Sequence, residues 1–105
     1  MTVAFDVDYS LINQENSPNY EVIKLLHWFQ NNGDRVIIWS GGGIDYAMTV
    51  ARRLGLIPDM FSQKTIEQGK IMDVDIAVDD EFVDLGKVNI KINNPTKIDG
   101  LPPNS

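Results

Sequence analysis

The apolar residues of the chain cluster into short runs that no polar residue interrupts. Such runs are typical of strands covered on both faces, as in the parallel sheets of α/β proteins. A further segment, residues 88–92, alternates apolar and polar residues and indicates an edge strand with one solvated face. The three continuous runs extend from Val3 to Phe5, from Val36 to Trp39 and from Ile76 to Val78.

Between the first two runs, apolar residues recur at helical spacing and predict an amphipathic helix. We expect Ser17 to be its N-cap, Pro18 to occupy its first position and Glu21 to lie in its first turn. The Asn-Asn-Gly sequence of residues 31–33 would end it. Its predicted apolar face consists of Tyr20, Ile23, Leu25, Leu26 and Phe29.

A second amphipathic pattern predicts a helix from Ile44 to Leu54, with Gly55 as its C-terminal stop. The inward residues of this helix are expected to be Ala47, Met48, Val50, Ala51 and Leu54. Residues 57–73 predict a short strand near Met60 followed by a helical turn. After the last continuous run, a short helix is expected from Glu81 to Leu85.

This alternation of strands and helices predicts the fold class. It is an α/β protein, with an open, mainly parallel sheet in a three-layer, Rossmann-like arrangement and helices on both faces. At 105 residues the chain has the length of one domain. Residues 94–105 are rich in Pro, Asn and Gly, which favours an irregular tail.

The composition of the chain argues against several classes of function. Fifteen acidic residues against nine basic ones give a net charge of −6, which argues against non-specific binding to nucleic acids. The chain has one histidine and no cysteine, which excludes His-rich zinc sites and thiolate chemistry. The start of the chain lacks the features of a signal peptide, and no apolar run approaches the roughly 20 residues that span a bilayer. We therefore expect a cytoplasmic protein that does not span a membrane.

Polar side chains follow the predicted strands at the point where each ends. Asp6 and Asp8 follow the first strand, Ser40 ends the second, and Asp79 and Asp80 follow the strand around residue 77. Because the carboxyl ends of parallel strands meet at one edge of a sheet, these side chains are expected to converge there. So many carboxylates repel one another unless a cation lies between them, and Mg²⁺ prefers such oxygen ligands.

Two of these features have a purely structural interpretation as well. Ser40 precedes three glycines, which could form only a flexible turn between a strand and a helix. Alternatively, Ser40 and the amides of Gly41 and Gly42 form an anion-binding nest at a helix N-terminus. Asp80 could simply cap the short helix expected from Glu81.

The order of these residues resembles the motifs of the haloacid dehalogenase (HAD) superfamily. Residues 6–10, Asp-Val-Asp-Tyr-Ser, resemble its first motif, Asp-x-Asp-x-Thr/Val, which follows an apolar strand. Ser40 after Val-Ile-Ile-Trp is similar to the second motif. Asp79 and Asp80, with Asp84 four residues later, are similar to the acidic fourth motif. The resemblance runs from residue 3 to about residue 84, and it implies a HAD-like fold.

The resemblance also implies roles for the acidic residues. Asp6 would attack phosphorus as a nucleophile and form an aspartyl-phosphate, and Asp8 would act as general acid and base. Mg²⁺ would be held by Asp6, the backbone carbonyl of Asp8, Asp79 and Asp80. The implied activity is that of a magnesium-dependent phosphatase acting on a phosphorylated substrate.

The third motif of the family is a lysine, which would neutralise charge on the transferring group together with the metal. Lys64 follows the strand expected near Met60 and is the preferred candidate. Lys70 lies just before the strand that leads to the fourth motif, and it remains an alternative.

The chain departs from most family members in having no room for a cap domain. The two usual insertion points, residues 11–17 and 55–63, are short. An open site would admit small molecules or macromolecules, such as a phosphoprotein or a nucleic-acid end, and an oligomer could supply a lid. A non-catalytic HAD-like binding or regulatory domain remains an alternative. In a phospho-acceptor receiver domain, the motifs would follow a different order.

Overall fold

In the computed structural model, residues 1–93 are described, and they form five strands and three helices. The strands are β1 (Thr2–Asp6), β2 (Arg35–Ser40), β3 (Met60–Gln63), β4 (Ile76–Asp79) and β5 (Val88–Lys91). The helices are α1 (Tyr20–Asn31), α2 (Ile44–Leu54) and α3 (Ile66–Ile71). The irregular tail predicted for residues 94–105 lies outside the described residues.

The five strands form one open sheet in the order β3-β2-β1-β4-β5, and every neighbouring pair is parallel. From β1 the chain proceeds outward through β2 to β3, and it then returns to place β4 on the other side of β1. Such a reversal opens a crevice beyond the carboxyl ends of the two central strands. The predicted α/β class with a parallel sheet is confirmed.

Side chains alternate between the two faces of the sheet, and each face has its own buried cluster. Phe5 and Ile38 belong to the first cluster, which lies under α1 and α2. Trp39 and Ala77 belong to the second, which includes Met72 and the partly buried side chains of the segment before β5. Because α3 packs close to Trp39 on this second face, the prediction of helices on both faces is confirmed.

The second predicted helix is confirmed, and so are the short strand and the helical turn predicted after it. Helix α2 has the predicted bounds, and Gly55 ends it in the left-handed conformation with φ +72°. Ala47, Val50 and Ala51 are buried as expected, whereas Met48 and Leu54 are only half-buried. Within residues 57–73, the short strand is β3 and the helical turn is α3.

The predicted start of the first helix is wrong. Helix α1 begins at Tyr20 with Asn19 as its N-cap, two residues later than expected. The Asn13 side chain accepts the backbone N–H groups of residues 15 and 17, and the Ser17 carbonyl accepts the N–H of Asn13. This local turn removes Ser17 and Pro18 from the helix. Tyr20 is consequently exposed, while the inward face consists of Val22, Ile23, Leu26 and Phe29.

The short helix predicted from Glu81 to Leu85 is also wrong. The chain must cross the second face here to enter β5 parallel to β4. The Asn89 side chain holds this crossing, because its oxygen accepts the N–H groups of Leu85 and Gly86 and its amide donates to the Gly86 carbonyl. These bonds replace those a helix would make. A Cβ at Gly69 of α3 would lie 2.6 Å from the Leu85 carbonyl oxygen, so the close packing here requires glycine.

Strand β5 lies at the edge of the sheet, as its alternating pattern predicted. Its apolar residues Val88 and Ile90 are nevertheless exposed. Among residues 1–93, no helix is long and apolar enough to cross a membrane.

Candidate active site at the carboxyl edge of the sheet

A cavity of about 350 Å³ opens where the carboxyl ends of the central strands meet. Most of the residues predicted for a site lie around it, although they come from four separate segments of the chain. The cavity is lined by Asp6, Asp8, Tyr9, Ser40, Gly41, Gly42, Lys64, Asp80 and Glu81. Asp79 lies next to it, fully buried at the end of β4.

Asp6 is the last residue of β1, and only 4% of its surface is exposed. One carboxylate oxygen, Oδ1, lies 3.0 Å from Lys64 Nζ, and the Ser10 hydroxyl donates to the other, Oδ2, at 3.2 Å. Ser10 reaches Asp6 because the chain turns sharply after β1, with three successive N–H groups donating to the Val7 carbonyl and Tyr9 at φ +61°. The carboxylate of Asp6 is therefore fixed from two sides.

Lys64 follows β3 and extends its ammonium group toward the central strands. Its N–H donates to the Ser40 carbonyl, and its Nζ lies within hydrogen-bond distance of both Asp6 and Asp79. Burial disfavours the charged ammonium, but the two carboxylates outweigh burial and raise the pKa of Lys64. Lys70, the alternative from sequence, is exposed on α3 and lines a separate groove. The structure thus brings Lys64 to the carboxylates.

Asp79 and Asp80 enter the site in different ways. Asp79 Oδ2 lies 3.1 Å from Lys64 Nζ, and its Oδ1 accepts the N–H of Glu81 at 3.0 Å. Asp80 lines the open cavity. The structure does not bring Asp84 to this group, because it lies in the groove that Lys70 lines.

The carboxylates of Asp6, Asp79 and Asp80 form a group that could hold a metal ion. Each offers one oxygen atom, these atoms lie within 4.8 Å of one another, and all three residues are buried. Burial, followed by the charge of Asp79, raises the pKa of Asp6 to about 7, and burial also raises the pKa of Asp79. The ammonium of Lys64 therefore compensates the buried negative charge only in part. A hard divalent cation fits this set of oxygen donors, although the set is not specific to Mg²⁺.

Ser40 and the glycines after it form a hydrogen-bonded turn. The Ser40 hydroxyl oxygen accepts the N–H of Gly42 at 3.0 Å, and its carbonyl accepts the N–H of Gly43. Gly43, at φ +102°, is the N-cap of α2. The N–H of Gly42 is thus already used within the turn, and Gly41 lines the cavity. The anion-binding nest stays a prediction.

Asp8 lies on the exposed side of the cavity and has a partner that the sequence did not reveal. The hydroxyl of Tyr46 donates to Asp8 Oδ1 at 2.5 Å. Burial, together with this hydrogen bond, raises the pKa of Tyr46 to about 12, so the hydroxyl stays protonated at neutral pH. Tyr46 lies in the first turn of α2, three residues after the Ser-Gly-Gly-Gly segment. In the sequence alone, an aromatic residue at this position predicts packing and not a contact with Asp8.

The resemblance to the HAD superfamily rests on the motifs alone. No family model, no curated protein and no solved structure matches this chain.

The raised pKa of Asp6 predicts how stability depends on pH when no metal is present. The folded state holds the Asp6 proton more tightly than the unfolded chain does, since folding raises the pKa from 3.8 to about 7. This contribution to stability is complete below pH 4 and is lost as the pH rises through 7. With chelator at pH 7.5, Asp6→Asn should therefore melt at a higher temperature than the wild type, and the difference should shrink toward pH 4.

The matched control is Asp84→Asn, which removes the same charge from an exposed position outside the site. Adding Mg²⁺ at pH 7.5 should raise the melting temperature of the wild type and of Asp84→Asn more than that of Asp6→Asn, because a ligand stabilises the state that binds it. If chelated wild type and Asp6→Asn have the same melting temperature at every pH, the account of the buried carboxylates is wrong.

Proposed function

We propose that the protein is a magnesium-dependent phosphomonoester hydrolase in which Asp6 accepts the phosphoryl group. The observation that carries this proposal is the environment of Asp6. It is a buried carboxylate at the end of a central strand, oriented by Lys64 and Ser10, and it lines an open cavity beside Asp79 and Asp80. A carboxylate with a purely structural role at a strand end would need neither a cavity nor two further buried carboxylates beside it, so these features favour a functional role for Asp6.

The first half of the reaction forms a bond between an Asp6 oxygen and phosphorus and breaks the bond from phosphorus to the alcohol oxygen. Asp8 gives its proton to that leaving oxygen. Lys64 keeps Asp6 in place and offsets negative charge as the phosphoryl group transfers. The product is an aspartyl-phosphate and a free alcohol.

The second half returns the enzyme to its starting state. Asp8, now ionised, takes a proton from water, and the oxygen of that water attacks phosphorus. The bond between Asp6 and phosphorus breaks, releasing inorganic phosphate, while Asp8 keeps the proton for the next cycle. A carboxyl group suits both directions of transfer because it donates a proton in its acid form and accepts one in its ionised form.

A divalent cation fits this site, and its ligands would be Asp6, Asp79, Asp80 and, by the resemblance, the backbone carbonyl of Asp8. When bound, it would supply positive charge to the oxygens of the transferring phosphoryl group. Lys64 and Ser10 each hold one carboxylate oxygen of Asp6.

The open cavity favours a site that binds varied phosphomonoesters. Thirteen residues lie between β1 and α1, and five lie between α2 and β3. Neither connection is long enough to fold into a cap domain, so a phosphate group on a macromolecule as well as on a small molecule could reach Asp6.

The first test is turnover of p-nitrophenyl phosphate with and without Mg²⁺. The wild type and Asp84→Asn should hydrolyse this ester only with the metal, and Asp6→Asn should be inactive because it cannot form the acyl phosphate. Turnover that persists in excess chelator, or substantial activity of Asp6→Asn, would contradict the proposal. A protein that binds Mg²⁺ through these residues yet hydrolyses no phosphomonoester would favour the alternative, a non-catalytic HAD-like binding domain.

A second test compares the two lysines. Lys64→Gln removes the ammonium beside Asp6 and Asp79, and we expect kcat to fall by roughly 10² to 10³, as when one preorganised donor is removed from a transition state. Lys70→Gln makes the same change on the exposed surface of α3 and should retain wild-type kcat. Equal activity of the two variants would exclude Lys64 from the role proposed for it.

A further inference from the structure

The hydroxyl of Tyr46 contacts the residue that the proposed reaction uses to move protons. It donates to Asp8 Oδ1 at 2.5 Å, although the two residues are 38 positions apart in the chain. Asp8 is exposed and lies two residues after the end of β1. An exposed carboxylate of this kind can adopt several rotamers, and a fixed donor selects one of them.

The ring of Tyr46 is itself held in place. It is half-buried, and it packs against the apolar cluster under α1 and α2. On its other side it lies against Gly42, where an added Cβ would be 3.2 Å from the ring atom Cδ2 and 3.3 Å from Ser40 Oγ. Because α2 and the turn before it fix the ring, the hydroxyl has a defined position at the cavity.

We infer that Tyr46 is a positioning residue that fixes the carboxylate of Asp8 for proton transfer to the leaving group. This inference rests on the proposed phosphohydrolase function. With Oδ1 engaged by Tyr46, Oδ2 is the oxygen that gives a proton to the departing alcohol and later takes one from water. Tyr46 itself exchanges no proton in either step.

The contribution of Tyr46 should depend on how much the leaving group needs a proton. The alcohol of an alkyl phosphate leaves poorly as an alkoxide and requires protonation by Asp8. The p-nitrophenolate ion leaves readily without it. Loss of the Tyr46 hydroxyl should therefore slow the cleavage of the alkyl ester much more than that of the aryl ester.

The experiment measures kcat/KM of Tyr46→Phe for both esters in the presence of Mg²⁺. This parameter covers the steps up to departure of the alcohol, so hydrolysis of the phosphoenzyme does not enter it. General acid–base catalysis supplies roughly 10² to 10⁴ in rate. Misplacing the acid should cost part of that, so we expect the ratio of aryl to alkyl kcat/KM to rise on the order of 10-fold.

Two comparisons separate positioning from a structural effect. Tyr20→Phe removes the same hydroxyl from an exposed tyrosine of α1, and its ratio should equal that of the wild type. In an Asp8→Asn background, Tyr46→Phe should cause no further change in the ratio, because the group it positions is gone. Melting curves of Tyr46→Phe show whether the ring alone maintains the fold.

Each outcome bears on the inference. A raised ratio in Tyr46→Phe that disappears in the Asp8→Asn background supports it. An unchanged ratio, including one accompanied by equal losses on both esters or by a lower melting temperature alone, overturns it. If the wild type hydrolyses neither ester, the proposed function fails and this inference with it, whereas an active wild type with an unchanged ratio leaves the proposed function intact.

Discussion

The ammonium of Lys64 lies between Asp6 and Asp79, 3.0 Å and 3.1 Å from their oxygens, and the carboxyl edge of the sheet depends on this contact. Two buried carboxylates at the ends of adjacent strands would otherwise repel each other in a poorly solvated place, and removing the cation of such a group typically costs about 3–5 kcal/mol because it leaves buried negative charge uncompensated. One cation does not fully offset two buried anions plus Asp80. Burial, followed by the charge of the neighbouring carboxylates, raises the pKa of Asp6 and of Asp79, and a divalent cation would offset this negative charge.

The topology explains why these groups meet. After β3 the chain returns across the sheet and adds β4 on the other side of β1, parallel to it. Asp6 at the end of β1 therefore lies beside Asp79 at the end of β4. The same order places β2 and β3 on the other side of β1, and Ser40 and Lys64 approach the cavity from there. Helix α2 begins at this edge and brings Tyr46 to Asp8. Lys64 and the helix that carries Tyr46 thus both lie on the β2–β3 side of β1.

Much of this was predictable from periodicity and strand ends. Uninterrupted apolar runs identify strands covered on both faces, and polar residues directly after them identify the edge where Asp6, Ser40 and Asp79 meet. Not every contact between distant residues was predictable. The hydroxyl of Tyr46 reaches Asp8 across 38 positions, and no local pattern encodes that contact. The start of α1 was misplaced because the side chain of Asn13 competes for backbone N–H groups, and the helix expected after Asp80 gives way to a crossing held by Asn89.

Asp6 and Asp8 lie two residues apart but are proposed to have different tasks, and locating the phosphate tests this division most directly. Asp8→Asn with p-nitrophenyl phosphate and Mg²⁺ should accumulate an aspartyl-phosphate, because the leaving group needs no acid while no base remains to activate water. Rapid-quench mass spectrometry should find one added phosphate in Asp8→Asn and none in Asp6→Asn, with the modification on Asp6. Phosphate on another residue, or labelling of Asp6→Asn, would contradict the account.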